Sequence, residues 1–228
     1  MGVHDGHRQR LKERFLTQGL SGFEDHNVLE LLLFYSIPRC DTNEIAHRLL
    51  EEFGSLDRVF DAPAESLCRV KGISAHSASL IKLIPELFSR YHTDKADKEE
   101  TLNSTKALGK YFVPRFYGKT KEEFHAVFLD DRKKVIKCEK ISEGEANVTK
   151  VDAKKLITSV VNTNATAVAI AHNHPRGVCI PSHSDLMSTE LLYNSLRLIN
   201  VELLDHIVVS GDDYTSMADR GDFMRFKY

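Results

Sequence analysis

The apolar positions change their period partway along the chain. From residue 1 to about residue 92 they recur at helical spacing, which predicts an all-helical half. Residues 8–17 predict a basic, weakly amphipathic helix, and the apolar run 27–35 (NVLELLLFY) predicts the centre of a small core. Asp41 or Thr42 can cap a helix that runs to Phe53 with Ile45, Ala46, Leu49 and Leu50 on one face, and Gly54 is placed to stop it. Short helices are predicted over 55–60 and 63–70, then the tetrapeptide Lys71-Gly72-Ile73-Ser74, then a last helix over 75–91. Residues 92–104 (HTDKADKEETLNS) are charged and almost without large apolar side chains, so they read as a tether. The predicted organisation is a helical domain over 1–96, a linker over 97–103 and a second domain over 104–228.

In the second half the period alternates between two and 3.6. Residues 105–116 predict a helix. Residues 123–129 (EFHAVFL) alternate as a strand, 130–132 (DDR) make a turn, 134–141 form the hairpin partner, and 144–148 extend the sheet. Residues 151–162 predict an amphipathic helix with Leu156, Ile157, Val160 and Val161 on its apolar side. The run 165–171 (ATAVAIA) predicts a strand buried on both faces. A long helix over 184–200, a strand over 201–210 and a short strand over 213–217 complete an α/β pattern: a mixed sheet between helices.

Composition narrows the function classes. Of the 228 residues, 42% are hydrophobic and 28% charged, enough apolar material for a core in each of two domains. The net charge of −2 carries no overall basicity of the kind that advertises nucleic-acid binding, which leaves only a local patch for that role. The cysteines Cys40, Cys68, Cys138 and Cys179 are scattered and form no C-x-x-C, which argues against a thiolate zinc site or a disulfide framework and fits a reducing, cytoplasmic setting. The polar start of the chain has no signal-peptide core, and no apolar run reaches the roughly 18 residues of a membrane span.

The chemistry concentrates in residues 171–185, AHNHPRGVCIPSHSD. His172 and His174 are spaced i, i+2 at the end of the predicted buried strand, so both imidazoles point to one side. Pro175 and Gly177 turn the chain, and Asp185 follows at the predicted start of a helix. Two His and one Asp suit Zn²⁺, and three protein ligands leave a fourth tetrahedral position, the pattern of catalytic rather than structural zinc. Each residue alone has a blander reading: two satisfied histidines at a strand end, and a Ser182-x-x-Asp185 helix cap. Together, H-x-H-P, a loop, and Asp with Ser three residues before it resemble the metal motif of JAMM/MPN-type metalloproteases. The fuller form H-N-H-P-x-G…P-S-x-x-D is similar to that of the RadC family of bacterial proteins.

That resemblance implies a JAMM/MPN-like mixed sheet flanked by helices, with Zn²⁺ on His172, His174 and Asp185. It also implies a carboxylate that carries the proton, from a Glu just before a strand. In the family pattern E-x-F-x-x-x-x-L-D, Glu122 takes that place, and Glu123 is the adjacent alternative. Strand alternation sends the two to opposite faces, so only one can serve. Ser182 matches the serine whose hydroxyl steadies an oxyanion. His183 is expected in solvent, Cys179 is a partly buried thiol or a stray ligand, and His206 is a packed residue or an outer partner of a ligand, with Asp205 able to orient an imidazole. Residues 67–87 (LCRVKGISAHSASLIKLIPEL) resemble a helix–hairpin–helix, a module that grips nucleic-acid backbone through hairpin amides. DNA contact through Lys71, Gly72 and Ser74 follows from that likeness, with Arg69 and Lys82 adding charge, although Ser74 stands where the hairpin's second glycine belongs. Two readings result. One is a zinc-dependent hydrolase cleaving peptide or isopeptide bonds in a peptide or protein substrate. The other is a DNA-repair-associated nucleic-acid-binding protein whose metal domain is structural, regulatory or a nuclease.

Overall fold

A computed structural model describes residues 3–97, 101–144, 152–175 and 177–227. The chain divides into two compact units, Met1–Leu87 and Phe88–Tyr228. The first is helical, with α1 (Val3–Gln18), α2 (Asp25–Leu33), α3 (Asn43–Phe53), α4 (Leu56–Asp61), α5 (Ala64–Leu67) and the start of α6 (Ala75–Ala96). Its core gathers Leu29, Leu33, Ile45, Leu49, Val59, Leu67 and Ile81. Helix α3 starts with Thr42 at the N-cap position, while the Asp41 carboxylate accepts the Asn43 amide at 2.9 Å. It stops at Gly54, whose φ of +90° is open to glycine at little steric cost.

Helix α6 continues five residues beyond the expected Tyr91, into the segment read as tether. Charge does not break a helix. Arg90 pairs with Asp94 at i, i+4 over 2.9 Å, and the Lys95 ammonium lies 4.5 Å from the Tyr91 ring centroid. Of the expected linker 97–103, residues 98–100 lie outside the described residues. Leu102 is fully buried in the second unit's core, and its amide donates to the Lys133 carbonyl.

The second unit is built on a mixed five-stranded sheet in the order β2-β1-β3-β4-β5. The strands are β1 (Glu122–Leu129), β2 (Val135–Gly144), β3 (Ala167–Asn173), β4 (Glu202–Ser210) and β5 (Asp213–Ser216). Among the described residues only β3 and β4 run parallel, and the connection between them carries α9 (His183–Leu198). The expected sheet extension over 144–148 lies, after Gly144, outside the described residues. The helix expected over 105–116 is α-helical only as α7 (Thr105–Phe112). Val113–Phe116 tightens to a 3-10 turn, because Pro114 has no amide proton to continue the α ladder.

Strand alternation sorts the core onto two faces. Val127, Leu129, Ala167, Ala169 and Ala171 pack with Leu108, Tyr111, Phe112 and Phe116 on the α7 face. Phe124, Ala126, Phe128, Val168 and Ile170 pack on the other, with Leu156 and Val160 of α8 (Ala153–Thr163) and Leu192 and Leu196 of α9. Among the described residues no helix is long and apolar enough to cross a membrane.

Candidate metal centre

The two-face sorting of β3 determines where its last residues point. Val168 and Ile170 face α9, so His172 faces α9 and Asn173 faces the other way. His174 lies just past the strand, and its amide donates to the Val209 carbonyl at 2.8 Å, which ties the start of the loop to β4. Asp185 sits in the first turn of α9, which comes back over this same face. The three side chains meet there, with one ligand atom from each within 4.8 Å of the others. His172 Nε2 is 3.0 Å from His174 Nε2 and 3.4 Å from Asp185 Oδ1, and His174 Nε2 is 3.7 Å from Asp185 Oδ2.

The donor set and its spacing fit a zinc ion. Tetrahedral Zn²⁺ with ligands at about 2.0–2.1 Å sets those ligands about 3.3 Å apart, and the three observed separations bracket that value. His174 Nδ1 faces the Val178 carbonyl at 2.8 Å. A carbonyl only accepts, so Nδ1 carries a proton, and in the neutral ring Nε2 is the lone pair that faces His172 and Asp185. Asp185 is ionised. Burial would raise its carboxyl, but the His172 and His174 imidazoles beside it and the Ser182 hydroxyl outweigh burial and hold it well below the ordinary carboxylate range. A hydrogen bond to that carboxylate raises the His174 imidazole, against burial, and the Glu122 charge adds to the rise.

Ser182 caps α9, and in doing so it orients the third ligand. Its Oγ accepts the Asp185 amide at 3.2 Å, its own amide donates to Asp185 Oδ2 at 2.7 Å, and its hydroxyl donates to the same oxygen at 2.6 Å. The helix cap and the ligand set are therefore one arrangement. To steady an oxyanion, the hydroxyl proton would have to leave Asp185. His183 is exposed, and Cys179 is half-buried and outside the ligand group.

A narrow cleft beside the triangle is lined by Glu122, Glu123, Phe124, His172, Asp185, Ser188 and His206. The Glu123 carboxylate lies 2.8 Å from His125 Nε2 and 3.3 Å from Lys140 Nζ, both side chains of β1 and β2. The Phe124 ring lies parallel to His172, 6.3 Å between centroids at 7°, and makes an apolar wall.

Four polar residues of this region were not singled out by the sequence patterns, or only weakly. Asn173, 3% exposed, uses its side chain as a clamp: Oδ1 accepts the Glu123 amide at 2.7 Å and Nδ2 donates to the Lys121 carbonyl at 3.0 Å. Those two backbone groups bracket Glu122. Thr189 and His206 form a buried polar path behind His172, with His172 Nδ1 2.8 Å from His206 Nε2, and Ser188 lines the cleft. The signal for Asn173 was its position between two ligands on a strand, which forces it to the opposite face. Asp205 does not touch an imidazole. Its carboxylate receives the Ser216 hydroxyl at 2.5 Å and the amides of His206 and Ala218.

In the helical unit, the hairpin between α5 and α6 brings Gly72 to φ +103°. The Ile73 amide donates to the Val70 carbonyl at 3.0 Å, and Ser74 receives the Ala78 amide on its carbonyl, at the start of α6. Arg48 reaches from α3 to the Lys71 carbonyl at 2.6 Å. The Ile73 amide is thus occupied within the hairpin.

Residues 102–222 match the RadC-like JAB domain, and residues 6–79 match the UPF0758 N-terminal domain. A UPF0758 protein of Fusobacterium nucleatum is 35% identical over 225 residues, covering 96% of this chain and 97% of that protein. UPF0758 proteins of Pseudoalteromonas translucida and of Aliivibrio fischeri strain MJ11 are 31% and 30% identical, each over 93% of this chain and 95% of the relative.

Proposed function

This chain belongs to the UPF0758 family and carries a RadC-like JAB domain, and on that premise we propose that it is a zinc-dependent hydrolase of peptide or isopeptide bonds. The observation that supports this most is the closed triangle of His172, His174 and Asp185 with Glu122 lining the same cleft. His172, His174 and Asp185 would hold the zinc. When bound, zinc supplies Lewis acidity toward an acyl oxygen and acidifies water toward neutral pH.

The protein's own residues supply the rest. Glu122 opens β1 at the mouth of the cleft, where its backbone is bracketed by Asn173. Its carboxylate takes the proton from the attacking water and returns it to the leaving amine, which a hydrolysis needs for the C–N bond to break. Ser182 keeps Asp185 aimed through the hydroxyl and amide contacts, and it remains the candidate donor to an oxyanion once a substrate competes for that proton. The Phe124 ring and the buried β3 floor keep bulk water from two sides of the site.

The test is metal analysis of protein purified without chelator, followed by peptidase and nuclease assays on the same sample. The reading expects about one zinc per chain, as one three-ligand site requires. His174→Ala should lose most of it, because two ligands hold zinc poorly. Full zinc occupancy in that variant would refute the ligand assignment, and nuclease activity without peptidase activity would favour the DNA-directed alternative.

A further inference from the structure

We propose that the buried pair His206 and Thr189 is a positioning relay that fixes the proton of His172 on Nδ1 and so presents its Nε2 lone pair to the metal. The inference rests on the metal reading above and goes on to say what sets the protonation of one ligand. It starts from a hydrogen-bond path that closes on itself. His172 Nδ1 lies 2.8 Å from His206 Nε2, His206 Nδ1 lies 2.6 Å from Thr189 Oγ1, and Thr189 Oγ1 lies 2.5 Å from the Asp185 carbonyl. The path begins on one ligand residue and ends on the backbone of another. Its two intermediate residues are inaccessible to solvent, His206 at 1% and Thr189 at 0% exposure.

Proton counting gives the path a single direction. The Asp185 carbonyl can only accept, so the proton between it and Thr189 belongs to the hydroxyl. A hydroxyl has one proton, so toward His206 the Thr189 oxygen must accept. His206 therefore carries its proton on Nδ1. In a neutral imidazole one ring nitrogen donates and the other accepts. The His206 Nε2 is then a lone pair and must accept, which requires a proton on His172 Nδ1. His172 Nε2 is left unprotonated, 3.0 Å from the His174 Nε2 lone pair. Two lone pairs aimed at one another across that distance are both satisfied by a cation between them. Reversing the path would put a proton on His172 Nε2 and remove it from the ligand set.

An imidazole in this outer position is not required merely to fill space. Ile170, the β3 residue opposite His206, is fully buried, and a leucine in place of His206 would extend the same apolar layer. What leucine lacks is the acceptor. Glutamine can offer its side-chain carbonyl near where Nε2 stands.

The experiment uses the full chain in four forms: wild type, His206→Leu, His206→Gln and Thr189→Val. Zinc affinity is measured by competition with a chromophoric chelator at fixed pH, and the imidazole ¹⁵N shifts of the zinc-loaded wild type give the His206 tautomer. Loss of an outer partner of a metal-bound histidine typically weakens binding 10–100-fold, and His206→Leu should show a loss of that size. His206→Gln should recover most of it, and Thr189→Val should fall between wild type and His206→Leu. The ¹⁵N spectrum should place the His206 proton on Nδ1. A proton on Nε2 overturns the relay by itself and needs no variant, so the test survives a His206→Leu protein that fails to fold. Wild-type zinc affinity in a folded His206→Leu overturns the relay and leaves the metal reading standing. A wild type with no zinc affinity overturns both.

Discussion

Glu122 and Glu123 are neighbours with opposite assignments, and a pair of conservative substitutions separates them. Glu122→Gln keeps the shape and removes the basicity. Zinc content should stay near wild type while hydrolysis of a peptide substrate falls by roughly 10²–10⁴-fold, the usual contribution of a positioned acid–base group. Glu123→Gln should leave turnover much nearer wild type, and the reverse result would shift the proton carrier by one residue. The effect of Glu123→Gln belongs instead to stability. Burial would raise the Glu123 carboxyl, but the hydrogen bond and charge of His125, with Lys140, hold it below its ordinary 4.5. Burial would lower His125, but hydrogen bonds to Cys138 and Glu123 carry it above its ordinary 6.5. The depressed carboxyl contributes stability that is present above its unfolded value and lost as pH falls through the folded one. The raised imidazole contributes stability that is present below its unfolded value and lost as pH rises through the folded one. The pair is at full strength between pH 4.5 and 6.5. Urea unfolding should show a Glu123→Gln penalty on the order of 1–2 kcal/mol in that window, shrinking in alkaline and in strongly acid buffer. A penalty that does not vary with pH would mean the pair is not ionised as described. At this scale the sequence showed the residues that carry regular spacing. His172 and His174 share a face by strand period alone. It did not show Thr189 or the Asn173 clamp, because those depend on which groups lie opposite after folding, across 17 residues to His206 and across 50 and 52 residues to β1.

Among the elements, the turn between α5 and α6 is the most sharply constrained. A side chain on Gly72 would place its Cβ 2.8 Å from Cδ1 of Ile45, which is itself buried in the core, and φ of +103° is unfavourable for any L-residue. Gly72→Ala should therefore destabilise the full chain by about 1–3 kcal/mol, the cost of holding a non-glycine residue in a sparsely populated backbone region. Thermal unfolding measures it, and an unchanged midpoint would show that the hairpin yields easily. The glycine is explained by packing, whether or not the hairpin also meets a phosphate. Element types were legible wherever apolar periodicity was strong, as in α3, α8 and β3. Ends were harder to read. Helix α6 outran its predicted end because solvated charged residues satisfy a helix as well as they satisfy a loop, and nothing in 92–96 forbids the helical backbone. Helix α7 gave way at Pro114 to a tighter turn, a change that one missing amide proton explains.

For the molecule as a whole, the division into a helical half and a mixed-sheet half follows from the change in period, whereas the strand order does not. Placing β3 between β1 and β4 depends on long-range pairing that one-dimensional patterns do not encode. All three proposed ligand residues belong to the second unit, contributed by a strand, a loop and a helix. Zinc that binds only the folded form should stabilise it by RT ln(1 + [L]/Kd), about 2.7 kcal/mol at a hundredfold excess over Kd. Calorimetry with and without chelator should show a lower unfolding temperature for the chelated protein, and identical traces would deny the linkage. The tripeptide His172-Asn173-His174 adds a consequence for how the sheet assembles. Its outer residues face α9, and its middle residue locks onto Lys121, just before the neighbouring strand, and Glu123 within it. A slip of β3 by one residue against β1 would turn both imidazoles into the α7-side core and leave the amide facing the wrong backbone. The same three residues thus act as a key cut for one alignment of the strands. On the proposed metal reading, a chain that assembles with β3 out of step would forfeit its metal, so the fraction of a refolded sample that retains zinc would measure how faithfully the strands were matched.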